Sequence, residues 1–381
     1  MEKTKITLAF FLPSLEAGGA ERNVVNIVNN LNRKKYDISL VLAEAKGDFL
    51  SEIAKDVPIT NLNVLGNLKL FFRLINYFRN QKIGIFISAF PRINIICLIA
   101  KIFSGKNIKI VITEHSVFSL LPVIAKTAGR RFFARFFLPS LVKIIYPKAD
   151  AVICVSSGIA DDFLKIIYFP EKIKVIYNPI INDKIYKLAE EDIIHPWFSD
   201  LKIPVIVSAG RLVKCKDYPN LLEALNLVLQ KQPVRLAILG AGPEKEKLVK
   251  LAEKLGLSQN IAFLGFQKNP YKFMKKASIF VLSSLQEGFG NVIIEAMAFG
   301  TPVVSTNCPA GPGEIIENMK NGILTPVGDK KALADAILKI LNNPGLTQKF
   351  SIEGKKRAQL FSVEESVRGY EKLFDELTNK K

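Results

Sequence analysis

The residues of this 381-residue chain whose types and spacing suit chemistry are two carboxylates, two cations, a glycine loop and one histidine. The sharpest run is Glu287-Gly288-Phe289-Gly290-Asn291-Val292-Ile293-Ile294-Glu295, continued by an apolar stretch into Gly300-Thr301-Pro302-Val303-Val304. It reads as strand end, glycine loop, helix and next strand. Glu287 then lies in the loop at a strand's carboxyl end, Asn291 caps the helix, and Glu295 falls about one turn inside it. Both carboxylates can border one small ligand, while backbone N–H groups at Gly290, Asn291 and Val292 meet its phosphates. Two carboxylates eight residues apart are otherwise most simply solvated surface, and the adjoining glycines and apolar helix argue against that here.

The cations follow another strand, in Gly210-Arg211-Leu212-Val213-Lys214-Cys215-Lys216. A guanidinium fork and a point charge leaving the strand together can grip a diphosphate, although exposed basic residues are more often merely solvated. Gly18 and Gly19 stand between the first apolar run and a helical pattern that reaches Leu31, where a helix start offers N–H groups to an anion. A plain strand-to-helix turn fits those residues equally well, and G-x-G-x-x-G is absent. Gly240-Ala241-Gly242-Pro243 reads as a tight turn with proline in the first turn of a helix. His115 and His195 are the two histidines. By itself each reads as a packed or surface residue.

The elements that must position these groups alternate. Strand-like runs at Ile6 to Leu12, Ile38 to Leu42, Ile83 to Ser88, Ile108 to Thr113, Ala151 to Val155 and Lys174 to Tyr177 are separated by amphipathic stretches of helical length. The alternation lapses at 178–202 and resumes with Ile203 to Ala209, Val234 to Leu239, Ile261 to Leu264, Ile279 to Leu282 and Pro302 to Ser305. This predicts an α/β protein of two doubly wound, Rossmann-like domains facing a cleft. The expected division is 1–177, a linker at 178–202, a second domain at 203–361, and a C-terminal helix at 362–381 that packs back on the first domain.

Composition narrows the class. Hydrophobic residues make 49% and charged residues 23%, which excludes a disordered chain or a small disulfide scaffold. Cys97, Cys154, Cys215 and Cys308 are scattered singly, so they read as reduced cytoplasmic thiols and not as a zinc site. Lys3 and Lys5 before the apolar run imitate a leader, but Pro13 and Glu16 interrupt it and a buried first strand is expected. No apolar run approaches the roughly 18 residues of a membrane-spanning helix. Asp161-Asp162 reads as the exposed part of a helix, no metal loop is evident, and no metal ligand is assigned.

The net charge of +18 is localised: residues 60–148 carry 14 Lys or Arg against the single acid Glu114. Within them Lys69, Arg73, Asn76 and Asn80 recur at helical spacing beside Leu70, Phe71, Leu74, Tyr77 and Phe78. Lys126, Arg130, Arg131 and Arg135 likewise interleave with Phe132, Phe133, Phe136 and Phe137. Cations one turn apart beside aromatic surface fit a helix lying on anionic lipid; a sheet-covering helix with a solvated basic face fits too. No nucleic-acid motif is present.

Together the loop Gly18 to Arg22, the strand-end Gly210-Arg211-Leu212 with Lys216, the turn at 240–243, the E-x(7)-E pair and Gly300 to Thr306 resemble the retaining glycosyltransferases of family four. The resemblance spans nearly the whole chain. Cys308 to Ile315 is similar to a subgroup that builds bacterial surface polysaccharides and lipid-linked glycans, N-acetylgalactosaminyl transferases among them. It implies the GT-B fold and a UDP-sugar donor without a further cofactor. It puts Arg211 and Lys216 on the donor diphosphate, Glu287 against the transferred sugar and Glu295 on the ribose. By the same resemblance Gly19 belongs to the phosphate loop and His115 is the active-site histidine. Gly290 stands where many relatives carry proline and Gly313 where the subgroup often has arginine, departures that bear on the donor sugar. The expected protein is a cytoplasmic, membrane-surface enzyme that moves an N-acetylhexosamine or hexose, without metal, to a polyisoprenyl-diphosphate-linked saccharide. The rivals are a nucleotide-sugar epimerase of similar shape and a non-catalytic protein holding anionic lipid or nucleic acid.

Overall fold

Branched and aromatic residues fill the strands, and within each sheet successive strands are joined by crossovers that return the chain to the same end. A computed structural model describes residues 5–16, 18–120, 132, 135–200 and 202–379. Within them the chain forms two units: Met1–Pro179 with Val363–Lys381, and Ile180–Ser362.

The first unit holds a parallel sheet in the order β3-β2-β1-β4-β5-β6-β7. Its strands are β1 (Ile6–Leu12), β2 (Tyr36–Leu42), β3 (Ile59–Asn61), β4 (Ile85–Ala89), β5 (Lys109–Glu114), β6 (Ala151–Cys154) and β7 (Ile173–Val175). The helices that matter below are α1 (Gly19–Asn30), α2 (Asn67–Asn80) and α3 (Pro91–Ser104). Both sheet faces are covered, which is why the strands read as continuous apolar runs. Leu8, Phe10 and Leu12 join Val25 and Val28 of α1 in one core. On the opposite face Phe11 stacks on Phe86 at 6.0 Å, and Phe86 meets Phe78 of α2 edge-on at 4.8 Å.

The second unit has the order β10-β9-β8-β11-β12-β13, again all parallel. These strands are β8 (Val205–Ala209), β9 (Arg235–Leu239), β10 (Ile261–Gly265), β11 (Ile279–Leu282), β12 (Val303–Thr306) and β13 (Ile323–Thr325). In each sheet the order reverses once, between β1 and β4 and between β8 and β11. At such a point neighbouring crossovers diverge and leave a crevice at the carboxyl ends, where ligands of α/β sheets bind.

Three expectations are corrected. Residues 180–200 are not a linker: they carry helices Asp183–Leu188 and Pro196–Ser199 and bury Ile181, Ile185, Ile193 and Phe198 in the second unit. Pro196 and the acids there hid an apolar residue every few positions. Asn291 does not cap its helix; Gly290 does, with φ +98°, and Asn291 is the first helical residue. Asp162 is buried and accepts from the Ser119 N–H at 2.9 Å instead of facing solvent.

The C-terminal helix Val363–Asn379 belongs to the first unit. Val363, Val367, Tyr370, Leu373, Phe374 and Leu377 enter the same core as α1, and Ser366 Oγ donates to the Tyr177 carbonyl at 2.7 Å. Phe374 is fully buried and meets Tyr36 edge-on at 5.8 Å. Removing an aromatic of this kind costs the transfer energy plus the cavity, about 3 to 5 kcal/mol. Phe374→Ala should therefore lower the denaturant midpoint of the first unit markedly, and an unchanged midpoint would show that the helix is not part of its cooperative core.

Candidate active site

The two cations leave β8 on a loop with little freedom. Gly210 N–H bonds the Leu239 carbonyl and Leu212 N–H the Ala241 carbonyl, each at 2.9 Å. A Cβ at Gly240 would sit 1.9 Å from the Gly210 carbonyl oxygen, so the turn at 240–243 and the Arg211 loop lie backbone against backbone. Arg211 emerges from this clamp exposed and makes no ion pair among the described residues.

Lys216 ends a short 3-10 turn, Lys214–Lys216. Its ammonium lies 2.5 Å from Glu287 Oε1, and both side chains are largely buried. Ser284 Oγ donates to the same oxygen at 2.6 Å. Ser283 Oγ fixes the Lys216 carbonyl at 2.8 Å, and Leu285 N–H bonds the Cys215 carbonyl at 2.8 Å. The loops after β8 and β11 are thus tied together beside the switch point, with cation and carboxylate held in contact.

Glu295 lies partly buried on the helix Asn291–Ala298, whose start carries no side-chain cap. Its first N–H groups, including those of Asn291 and Val292, are oriented as an anion site requires. The backbone at Gly290, at φ +98°, is closed to proline, which is fixed near −65°. The departure from relatives with proline is therefore one of loop path. At Gly313 a Cβ would stand 2.9 Å from Asn307 Oδ1, so an arginine there displaces Asn307.

In the first unit, α1 begins at Gly19, with Gly18 as an extended N-cap and no side-chain cap. Arg22, in the first turn of α1, pairs with Glu52 and stacks its guanidinium 3.9 Å over Phe49, which fixes the connection between β2 and β3. His115 follows β5 at the carboxyl edge. Its Nε2 lies 3.1 Å from Thr113 Oγ1, and it lines a small cavity with Asn23, Ser88, Thr113 and Tyr370. Burial pushes the imidazole down to about 4; the residue keeps a partly exposed edge, but any depression from 6.5 leaves the ring neutral at pH 7.

Behind His115 lies a group of side chains that spacing alone did not single out. Glu114 is fully buried. Its Oε1 accepts from Tyr146 Oη at 2.5 Å and from Asn94 Nδ2 at 2.7 Å, and among the described residues nothing bonds Oε2. Ser88 Oγ donates to Asn94 Oδ1 at 2.8 Å. The available signal was the period of two along β5, which puts Thr113 and His115 on one face and Glu114 on the other. Ser284 carried a weaker signal, one turn before Glu287.

The basic helix α2 buries Leu70, Leu74, Ile75 and Phe78 and exposes Lys69 and Arg73 beside Leu68 and Phe72, which are 70% and 61% exposed. Phe71 makes edge contacts with Phe72 and with exposed Phe103 of α3. Arg135 is exposed, with its guanidinium 5.7 Å from the Phe136 ring, and Phe132 and Phe137 are exposed as well. Lys126, Arg130 and Arg131 lie outside the described residues. Among those described, no helix is long and apolar enough to cross a membrane.

Residues 17–184 match the family described as Glycosyltransferase Family 4, and 190–357 match Glycosyl transferases group 1. The chain is 30% identical over 369 residues to the N-acetylgalactosamine-N,N'-diacetylbacillosaminyl-diphospho-undecaprenol 4-alpha-N-acetylgalactosaminyltransferase of Campylobacter jejuni, covering 93% of this chain and 95% of that protein. A second Campylobacter jejuni enzyme, a GalNAc-alpha-(1->4)-GalNAc-alpha-(1->3)-diNAcBac-PP-undecaprenol alpha-1,4-N-acetyl-D-galactosaminyltransferase, is 26% identical, with 98% and 99% covered. Among solved structures, Anabaena HepE in complex with UDP and glucose superposes with a TM-score of 0.81 at 22% identity, covering 97% of this chain and all of HepE, a likeness of fold.

Burial pushes the Glu114 carboxyl up to about 7 from an ordinary value of 4.5, against the opposing bonds from Tyr146 and Asn94. A carboxyl raised in the folded state contributes fully below the unfolded value and loses its contribution as pH climbs through the folded one. The loss is on the order of 3 kcal/mol by about pH 8, at about 1.4 kcal/mol per unit. Glu114→Gln, which cannot ionise, should therefore gain stability relative to the parent between about pH 5 and pH 8 in urea unfolding. Parallel pH slopes for the two proteins would contradict the raised carboxyl.

Proposed function

Since the chain belongs to glycosyltransferase family 4 and has the GT-B fold, we propose that it transfers an N-acetylhexosamine or hexose from a UDP-sugar to a polyisoprenyl-diphosphate-linked saccharide with retention. The observation that carries this reading is the Lys216–Glu287–Ser284 contact beside Arg211, at the switch point of the second sheet. The lipid-linked acceptor rests on the names of the two Campylobacter jejuni relatives, and the UDP donor on the HepE complex.

The difficult step is departure of the nucleotide. The bond from the sugar's anomeric carbon to the diphosphate oxygen breaks, and the diphosphate keeps the electron pair. The acceptor hydroxyl oxygen bonds the anomeric carbon from the same face and passes its proton to the departing phosphate. Charge grows on the phosphate oxygens, so groups fixed in advance around them lower the barrier more than groups that must move into place. Arg211 and Lys216 supply positive charge, and the N–H groups of Asn291 and Val292 supply the start of a helix dipole. Lys216 already lies against Glu287, so a single side chain can hold the diphosphate while its partner carboxylate meets a sugar hydroxyl. Glu295, one turn into the same helix, accepts from the ribose hydroxyls. To these residues the resemblance adds Gly18 and Gly19 as phosphate-loop residues and His115 as a residue that binds a sugar.

Incubating the protein with UDP-sugars and undecaprenyl-diphosphate saccharides, with mass spectrometry of the lipid product, tests the reading. Release of free sugar without a glycosylated lipid would favour the epimerase-like alternative. Arg211→Ala and Lys216→Ala should each lower turnover about 100- to 1000-fold, and activity should persist in EDTA; the thermal midpoint should move little for exposed Arg211 and fall for Lys216, whose loss leaves Glu287 largely buried without its cation. Near-parent turnover in both variants would remove the diphosphate clamp.

We also propose that the enzyme works at the inner face of the cytoplasmic membrane, through Lys69, Arg73, Arg135 and their exposed aromatic neighbours. The same assignment extends to Lys126, Arg130 and Arg131. Each cation near an anionic surface contributes about 1 kcal/mol, so replacing Lys69, Arg73 and Arg135 by Gln should weaken binding to anionic vesicles roughly 100-fold at low salt. The KM for the lipid-linked acceptor should rise with donor affinity unchanged. Parent-like vesicle binding would make this surface an ordinary solvated face.

A further inference from the structure

The hydrogen bonds around His115 form a closed account in which each proton has one satisfactory place. Thr113 Oγ1 has one proton and two neighbours: the Ser88 carbonyl oxygen at 3.2 Å and His115 Nε2 at 3.1 Å. A carbonyl can only accept, whereas an imidazole nitrogen can do either. If the hydroxyl donated to the imidazole, its lone pairs would face the Ser88 carbonyl oxygen across a buried contact. If it donates to the carbonyl, both contacts are satisfied, and the imidazole must carry its proton on Nε2. Thr113 is itself held from behind: Asn94 Nδ2 bonds the Thr113 carbonyl at 3.2 Å and Glu114 Oε1 at 2.7 Å, and Asn94 is oriented by Ser88 Oγ. The other ring nitrogen, Nδ1, has no bond from any described residue, and the ring borders the cavity shared with Asn23 and Tyr370.

Building on the reading that His115 binds a sugar, we propose that Thr113 is a positioning residue: its hydroxyl, spent on the Ser88 carbonyl, fixes His115 as the neutral Nε2–H tautomer and leaves Nδ1 to accept a hydrogen bond from a sugar hydroxyl. Histidine then orients a substrate hydroxyl without adding positive charge beside a developing cationic sugar. The depressed imidazole basicity agrees with this. The charged and titratable groups nearby are consistent with a neutral ring: Tyr370 comes from the C-terminal helix, and Glu114, on the other sheet face, is occupied by Tyr146 and Asn94.

With two histidines in the chain, the test is direct. Full-length protein labelled with 15N-histidine is observed by long-range proton–nitrogen correlation at neutral pH, with His195→Gln to assign the signals. The parent and Thr113→Ser should show His115 with its proton on Nε2, and Thr113→Val should show a mixture of tautomers or the Nδ1–H form. Turnover should fall roughly 10- to 100-fold in Thr113→Val, with donor KM little changed, and recover to within a few-fold in Thr113→Ser. An Nδ1–H or doubly protonated ring in the parent, or an unchanged tautomer in Thr113→Val, overturns the proposal. The expected tautomers together with parent-like turnover in His115→Ala overturn the role given to Nδ1. Failure of the parent to glycosylate any lipid-linked acceptor strikes the transferase reading, separately from the spectra.

Discussion

A sheet whose strands all run one way sends every return path over its faces and delivers every loop that follows a strand to one edge. The rest of this structure depends on that constraint. In the first unit it brings the ends of β1, β4 and β5 together, and with them Gly18, Phe90 and His115. In the second it brings the ends of β8 and β11 together, and with them Arg211, Lys216 and Glu287. Residues more than 70 positions apart in sequence, such as Lys216 and Glu287, meet because their strands are neighbours at the point where the strand order reverses.

The edge alone supplies proximity; the chemistry also needs fixed orientation. That comes from contacts too close for ordinary side chains and from polar groups that share atoms. The backbone contact of Gly240 with Gly210 sets the exit of Arg211. The shared Glu287 oxygen holds Lys216 and Ser284 at once. Around His115 the same role falls to Ser88, Asn94 and Thr113, whose donors and acceptors match one for one. Phe90, at the start of α3 with φ +78°, holds a backbone conformation uncommon for a non-glycine residue, with its ring centroid 6.2 Å from that of His115.

Legibility in the sequence followed the strength of the physical signal. Long apolar strands and the C-terminal helix Val363–Asn379 were plain from their period, as were the loops that bear glycine and charge together. The edge strands β3 and β13, three residues each, are too short to show a period and escaped. The helix Pro344–Gln359 buries only Phe350, Gly354 and Ala358 and is weakly amphipathic. Residues 180–200 read as a linker because five acidic residues and Pro196 are interspersed among the apolar ones that anchor them. At the site, the charged residues were legible by type, whereas Ser284, Thr113 and Asn94 were not: a hydroxyl or amide matters through the single partner it meets, and that partner is set by the tertiary fold.

The return of Val363–Asn379 to the first core has a consequence for how the protein is made. The second unit is one uninterrupted stretch, Ile180–Ser362, and can complete its core as soon as it leaves the ribosome. The first unit, though its strands are synthesised earlier, lacks the helix that covers α1 and β2 until Val363–Asn379 emerges. At about 5 to 20 residues per second the interval is on the order of 10 to 40 s. During it the apolar surface meant for Phe374 and Leu373 stands open, so the order of synthesis and the order of folding are inverted, and the nascent first half is a natural client for a chaperone.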